Sequence, residues 1–238
     1  MMYKIYTKYH TKNACYKRGQ KVKMVGVLVH STGANNPYLS RYVDDEEHAG
    51  RNKYNNHWNV EYPAGRSVCV HSFIGYDKNN EIAIENILPY DIACWGCGSG
   101  SKGSYNYNPA YIQFEICEDS LRDKNYYNKV MDCAAWYCAK LCFDLDLDID
   151  NITCHSEACR AGYASNHGDI EHWLKIYGHT MDDFRGWVRN HYNKMTEETK
   201  EDKKYYRIQF GAFSKKANAV AFAEKMKAQG IDCIIKYY

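Results

Sequence analysis

Short apolar runs separated by polar turns dominate the first 195 residues, and this pattern is typical of strands packed in an α/β domain. Residues Asp77–Asn80 lie between two of these runs and predict a hairpin turn. The predicted strands are Val25–His30, Ser67–Tyr76, Glu81–Ile84 and Tyr111–Cys117.

Helices are predicted where apolar residues recur at helical spacing. In the stretch Tyr126–Phe143, the residues Val130, Ala134 and Tyr137 fall near one face, as in a helix packed on a sheet. Strands and helices together predict the α/β fold class. The predicted helices of this region are Leu39–Ala49, Tyr126–Phe143 and Ile170–Tyr192.

The chain changes character near residue 195. Residues 194–204 are almost wholly polar and charged, which favours a solvated linker, although they could also extend the preceding helix. Beyond them, a β-rich alternation, a helical stretch over 217–229 and a final apolar run indicate one β-α-β unit. The expected organisation is a domain over 1–193, a linker over 194–204 and a small β-α-β module over 205–238.

Composition narrows the classes of function. A formal net charge of only +2 argues against a general electrostatic grip on nucleic acid. No segment has the roughly 20 apolar residues of a membrane span, and the N-terminus lacks the apolar stretch of a signal peptide. We therefore expect a protein made in the cytoplasm that needs another agent to release it if it acts outside the cell.

The 11 cysteines are expected to be free thiols in that reducing compartment. Cys94 and Cys97 have CxxC spacing but no matching second pair, so buried thiols are favoured over a zinc ribbon. The Gly/Ser-rich loop 96–104 lacks the spacing and the terminal Lys-Ser/Thr of a phosphate-binding loop, which argues against nucleotide binding.

Two isolated histidines and one aspartate are the strongest candidates for chemistry. His30 ends an apolar strand, His155 follows the short run 152–154, and Asp169 precedes the helix predicted from Ile170. Taken singly, each histidine is more often a structural hydrogen-bonding group, and Asp169 is a natural N-cap. Taken together, two histidines and a carboxylate are the ligand set of a catalytic zinc with one open position.

Two further residues are candidates for proton transfer. Glu115 lies in an otherwise buried strand, where an unpaired carboxylate costs several kcal/mol unless it has a function. It shares one strand face with Gln113, so a half-exposed strand with a polar face is the alternative. His167 lies two residues before Asp169, from where it could stabilise an oxyanion or protonate a leaving amine.

Five short motifs stand in order along the chain, at residues 29–33, 71–75, 114–118, 154–157 and 165–169. Together they resemble the zinc-dependent N-acetylmuramoyl-L-alanine amidases of phage endolysins and bacterial autolysins, relatives of the peptidoglycan recognition proteins. The resemblance covers about residues 8–192 and implies a central mixed β-sheet flanked by helices, with zinc in a cleft. It also implies hydrolysis of the amide between N-acetylmuramic acid and L-alanine in peptidoglycan.

The resemblance implies a role for each matching position. His30, His155 and Asp169 correspond to the ligands of one Zn²⁺ per chain, Glu115 to the general base and His167 to the residue that stabilises the transition state. His71 and Trp95 correspond to residues that line the substrate groove. This chain departs from the pattern at Gly96, where relatives often carry histidine, so substrate contacts on that side are in doubt.

The residues 206–214 resemble the start of a sporulation-related repeat (SPOR) module, which binds peptidoglycan glycan strands. The chain ends after about half of such a module. A homodimer that completes it, packing against the catalytic domain and a shortened chain are the open alternatives. Gln209 and Phe213 are candidates for glycan contact, with packing in a small sheet as the alternative reading.

Two functions of different classes follow. The first is a zinc amidase that cleaves peptidoglycan, as an endolysin or autolysin. The second is a non-catalytic peptidoglycan-binding module on the same fold. The presence of all three candidate ligands and Glu115 favours the enzyme.

Overall fold

A computed structural model describes residues 2–201, 211–231 and 233–235 of the chain. Within these residues, the strands lie in one mixed sheet with the order β1-β4-β3-β5-β2-β6, in which only β3 and β4 pair antiparallel. The strands are β1 Lys4–Thr7, β2 Met24–Ser31, β3 Ser72–Tyr76, β4 Ile82–Asn86, β5 Ala110–Ile116 and β6 Ile152–Cys154. The helices are α1 Ala14–Arg18, α2 Lys124–Leu145, α3 His155–Ala161, α4 Glu171–Ile176, α5 Met181–Glu201 and α6 Lys216–Lys227.

The alternation along β5 separates the two faces of the sheet, as the sequence predicts. Ile112, Phe114 and Ile116 are fully buried in the cluster that contains the apolar faces of α2 and α5. Gln113 and Glu115 point to the other face, because successive side chains of a strand alternate. That second face carries the candidate chemistry, and the helix-covered face supplies most of the core.

Several predicted elements differ from the structure. Of the helix predicted over Leu39–Ala49, only the 3-10 turn Leu39–Arg41 forms. Downstream of it, the side chain of Asp45 accepts hydrogen bonds from the backbone N–H groups of Glu47 and His48. An aspartate that bonds its own following backbone favours a turn over a helix.

The predicted helix Ile170–Tyr192 is divided into α4 and α5. Between them the chain turns at Gly178, which has a φ of +74°. Glycine adopts this left-handed conformation without steric cost, so it ends α4 and redirects the chain. The helix α5 then continues to Glu201, so residues 194–201 of the predicted linker are helical.

The chain divides into two compact units, Met1–Glu198 and Thr199–Tyr238. In the second unit the predicted helix is present as α6. The described part of this module is mostly helical and not clearly β-α-β, because the described residues of the predicted final strand, 231 and 233–235, are not in a strand. The first predicted strand of this module, 205–211, lies almost wholly outside the described residues.

The described helices include none that is long and apolar enough to cross a membrane. All eleven cysteines are free thiols, and Cys94 and Cys97 are both buried, as the sequence predicts.

Candidate metal centre

The site lies where two neighbouring parallel strands end. His30 is near the carboxyl end of β2, and His155 follows β6 directly as the first residue of α3. Because β2 and β6 are adjacent and parallel, both imidazoles emerge at the same edge of the sheet. The carboxyl edge of parallel strands is where α/β folds most often place their sites.

Asp169 reaches this edge from the loop before α4. It does not cap that helix, because the N-cap position is Ile170 and no side chain caps the helix there. Ile170 has a φ of +62°, an unusual conformation for a β-branched residue, and its N–H donates to Oγ of Ser31 at 3.0 Å. Backbone strain of this kind persists only where surrounding contacts enforce it, and here it turns Asp169 toward the two histidines.

Three ligand atoms converge at this point. Nδ1 of His30 lies 2.8 Å from Oδ2 of Asp169, Nδ1 of His155 lies 3.0 Å from the same oxygen, and the two nitrogens are 3.1 Å apart. Both imidazoles are buried and Asp169 is 15% exposed, so the triangle opens toward solvent on the aspartate side.

The arrangement suits a zinc ion. Bonds of 2.0–2.1 Å at tetrahedral angles separate ligand atoms by about 3.3 Å, close to the observed spacings. Two imidazole nitrogens and one carboxylate oxygen are also the donor types of catalytic zinc sites, which leave a fourth position open. Among the described residues, His30, His155 and Asp169 are the group of histidine, cysteine and acidic side chains placed to hold a metal.

The pKa values of His30 and Asp169 favour binding of a cation. Burial lowers the pKa of His30 despite its contact with Asp169, so this imidazole is neutral at pH 7. Burial alone would raise the pKa of Asp169, but its close contacts with His155 and His30 outweigh burial and the pKa is lowered. His30 and Asp169 are therefore a neutral imidazole and a carboxylate, the protonation states that metal binding needs.

The outer nitrogens of both histidines have acceptors, which sequence reasoning did not identify. Nε2 of His30 lies 3.0 Å from Oε1 of Gln113, and Nε2 of His155 lies 3.3 Å from Oγ of Ser165. Ser165 donates its own hydroxyl proton to the carbonyl oxygen of Cys97, so toward His155 it accepts. The sequence could have indicated Gln113, because it is a second polar residue on the same face of an apolar strand as Glu115.

Glu115 is the residue of β5 that pairs in register with His30. Burial, followed by the negative charges of Asp169 and Glu118, raises its pKa well above the usual range. Its Oε2 atom is buried and accepts no hydrogen bond from the described residues. A raised pKa makes the carboxylate form of Glu115 a stronger base, and the residue lies on the site face of the sheet, so that form can accept a proton from a reacting group.

His167 lies at the rim of the site. It is exposed, its ring centroid is 4.7 Å from that of His155, and its Nδ1 is 3.2 Å from Oγ of Ser165. The structure thus brings His167 to the same edge as His30, His155 and Asp169.

His71 does not line a groove. It is completely buried; its Nε2 donates to the carbonyl of Ile92 at 2.9 Å, and its Nδ1 accepts from the N–H of Gln113 at 3.0 Å. Burial lowers its pKa to about 4, although the hydrogen bonds to Ile92 and Gln113 oppose this shift. The expectation that His71 contacts substrate is wrong, because its position before β3 faces the core and it ties β5 to the segment before Ile92.

The remaining candidates, Trp95, Phe213 and Gln209, are not among the residues that meet at the metal centre. Trp95 is partly buried, and its backbone bridges to Cys69. Phe213 is 43% exposed in the second unit, with its ring 5.4 Å from that of Phe222. Gln209 lies outside the described residues.

The Gly/Ser-rich loop 96–104 forms a wall that holds the segment before Asp169. Backbone hydrogen bonds join Lys102 to Gly162, Tyr105 to Tyr163 and Ser165 to Cys97. A Cβ at Gly100 would lie 2.5 Å from the backbone of Gly162, so the close approach of the two chains requires glycine. The loop thus acts in positioning the site.

The fold and the candidate metal centre define an α/β protein, and comparisons with known proteins agree with this description of the fold. The hydrolase AmiA of Staphylococcus aureus, in complex with its ligand, superposes with a TM-score of 0.58 at 20% identity, over 83% of this chain and 88% of that one. The PlyG catalytic domain gives 0.53 at 20% identity, over 79% and 95% of the two chains. A mutant endolysin from Bacillus subtilis gives 0.53 at 20% identity, over 79% and 99%.

Family comparison is more specific than these similarities of fold. The N-acetylmuramoyl-L-alanine amidase family matches residues 19–182, more than half of the chain, and the SPOR domain matches residues 188–237. The chain belongs to the N-acetylmuramoyl-L-alanine amidase family and is a peptidoglycan amidase with a C-terminal SPOR domain. A search of curated proteins found no match.

Proposed function

We propose that the protein is a zinc-dependent N-acetylmuramoyl-L-alanine amidase of the endolysin or autolysin kind, which lyses cell walls. The observation that carries the proposal is the triangle of Nδ1 of His30, Nδ1 of His155 and Oδ2 of Asp169, with edges of 2.8 to 3.1 Å. A zinc ion held there supplies Lewis-acid chemistry, since it polarises a carbonyl and lowers the pKa of water to about 7.

The side chains of the site divide the work of the hydrolysis. Glu115 takes a proton from the attacking water as its oxygen adds to the lactyl carbonyl carbon. His167, exposed at the rim, stabilises the developing oxyanion or donates the proton with which the alanine amine leaves when the C–N bond breaks. The half-buried position of Glu115 on the site face of the sheet and the 4.7 Å separation of the His155 and His167 rings support these roles.

The C-terminal SPOR domain is proposed to hold the enzyme on glycan strands. The partly exposed ring of Phe213 supports a contact there, and Gln209 is proposed with it from the sequence alone. Trp95 is proposed to line the groove beside the metal centre. Association of two chains through this module also stays a proposal.

The zinc-dependent reaction is tested by measuring metal content and bond cleavage in the same preparation. The wild type is expected to hold about one zinc per chain and to release free L-alanine amino termini from purified cell walls. Mass spectrometry of the digest identifies the cleaved bond. Zinc-free, correctly folded wild type that still binds walls would instead favour the non-catalytic binding module.

Two substitutions separate binding of the metal from turnover. Asp169→Ala is expected to lose zinc and activity together, because it removes one of three ligands. Glu115→Gln should retain zinc while turnover falls about 10²- to 10⁴-fold, the usual contribution of a general base. Glu197→Gln, at an exposed position on α5, is the control that should change neither quantity. Full activity of Glu115→Gln would contradict its proposed role.

A further inference from the structure

The amide side chain of Gln113 occupies an unusual environment. Gln113 is completely buried in β5, between Ile112 and Phe114, which are also completely buried. Burying an amide costs free energy unless its donors and acceptor are all paired. The hydrogen bonds of Gln113 therefore indicate what it does.

The network around Gln113 settles which way its amide points. Its Nε2 donates to Oδ1 of Asn106 at 3.0 Å. Asn106 is itself oriented, because its Oδ1 accepts from the backbone N–H of Cys97 at 3.3 Å and its Nδ2 donates to the carbonyl of Gly98 at 3.2 Å. A flipped Gln113 would set its oxygen against another oxygen, so Oε1 faces His30.

An oxygen that faces His30 selects the position of the imidazole proton. Oε1 of Gln113 lies 3.0 Å from Nε2 of His30 and can only accept, so Nε2 carries the proton. Nδ1 is then left with its electron pair, and it is the nitrogen that meets Asp169 and His155. An acceptor behind a ligating imidazole fixes its tautomer and orientation and raises its basicity.

Gly96 provides the space for this amide. A Cβ at Gly96 would lie 2.5 Å from Oε1 of Gln113 and 3.0 Å from Cγ1 of Val70. The first of these is closer than side chains approach one another, and the atom it would displace is the acceptor for His30. A side chain at position 96 would therefore compete with Gln113 for the same space.

We propose that Gln113 is a positioning residue for the metal centre: its carbonyl oxygen holds His30 with the proton on Nε2, in a space that Gly96 keeps open. The inference rests on the proposed function, because it takes His30 to be a zinc ligand. Ser165 stands in the same relation to His155, but its hydroxyl also meets His167, so Gln113 offers the cleaner test.

The test is a double-mutant cycle on zinc affinity, measured by chelator competition with the full chain. Gln113→Met keeps the side-chain volume and removes the acceptor, and Gly96→Ala leaves Gln113 in place but displaces its oxygen. Each is expected to weaken zinc binding about 10- to 100-fold, the usual effect of losing an outer-shell partner. The double variant should be about as weak as the weaker single variant, because both changes remove the same hydrogen bond.

Two controls keep the cycle interpretable. Gly186→Ala adds a Cβ with nothing within 4 Å and should leave zinc affinity unchanged. Nuclear magnetic resonance of the zinc-loaded protein should show a slowly exchanging Nε2–H signal of His30, which Gln113→Met and Gly96→Ala both lose. If Gln113→Met fails to fold, the loss of affinity and of that signal in Gly96→Ala still decides the question.

The outcomes separate this inference from the proposed function. If wild type and Gly96→Ala bind zinc equally well, or if the single effects multiply in the double variant, the positioning role is wrong and the zinc site stands. If the wild type binds no zinc, the proposed function fails and this inference fails with it.

Discussion

Glu85 shows how differently a buried carboxyl group behaves away from the candidate metal centre. It lies on β4, which β3 and β5 separate from β2, and it is completely buried without a well-formed hydrogen bond among the described residues. Burial, and then the neighbouring carboxylate of Asp45, raises its pKa to about 8. Lys8 opposes this shift only in part. Glu85 is therefore protonated in the folded protein at neutral pH.

The raised pKa predicts the direction of a pH effect on stability. The folded state holds the proton more tightly than the unfolded chain, whose glutamate has a pKa near 4.5. The free energy of unfolding should therefore fall by a few kcal/mol as the pH rises from about 4.5 to about 8. Glu85→Gln should remove this part of the pH dependence and stabilise the protein at pH 8, with little change at pH 4.5.

Denaturant unfolding of both proteins from pH 4.5 to 8.5 measures the effect. The exposed Glu46→Gln serves as the control and should follow the wild type at every pH. If Glu85→Gln and wild type lose stability in parallel above pH 6, Glu85 is not protonated in the folded protein at neutral pH.

Single polar residues in apolar strands were only partly interpretable from the sequence. Glu115 was identified because a buried carboxylate needs a reason, and the same argument applies to Gln113 and Glu85. What each does depends on its partners: His30 for Gln113, Asp45 for Glu85. Those partners come from other segments, so the pattern along one strand could not distinguish the roles.

Helix α2 shows that local sequence predicts a single helix well. The prediction Tyr126–Phe143 lies within the observed Lys124–Leu145, and its apolar face meets the sheet as expected. Its N-terminus follows local chemistry, since the side chain of Asp123 accepts hydrogen bonds from the N–H groups of Asn125 and Tyr126. A carboxylate at this place also interacts favourably with the helix dipole.

Removal of this cap should destabilise the protein without disturbing the site. Asp123→Ala is expected to lower the free energy of unfolding by about 1 kcal/mol, because it leaves helix N–H groups without that acceptor. Thermal unfolding followed by circular dichroism measures the change, and Lys129→Ala on the exposed face of α2 provides the comparison. Zinc content and turnover should match the wild type; a loss of zinc in Asp123→Ala would show that the helix end and the site are coupled.

The two units of the chain suggest a division of labour for the whole molecule. The amidase family match ends at residue 182 and the SPOR match begins at 188, within α5. The candidate metal centre draws its residues from the first unit alone. Catalysis and attachment to glycan strands should therefore be separable.

A chain that ends at residue 201 tests this division. It is expected to keep its zinc and its turnover of a soluble muropeptide, while its apparent affinity for insoluble cell walls falls about tenfold or more, because one of two attachment points is lost. Full-length Asp169→Ala is the reciprocal case and should sediment with walls without cleaving them. Equal sedimentation of the shortened and full-length chains would argue against glycan binding by the SPOR domain.

Local sequence by itself determined the strands at the centre of the sheet, the helix α2 and the candidate set His30, His155, Asp169 and Glu115. Their signals lie within short windows: alternation, helical spacing, and histidines at the ends of apolar runs. Only the tertiary structure decided that His71 is a core residue, that Gln113 and Ser165 contact the outer nitrogens of His30 and His155, and that Gly96 lies against the side chain of Gln113. These assignments depend on contacts between residues 10 to 83 positions apart, and a buried polar group has no defined role until the fold supplies its partner.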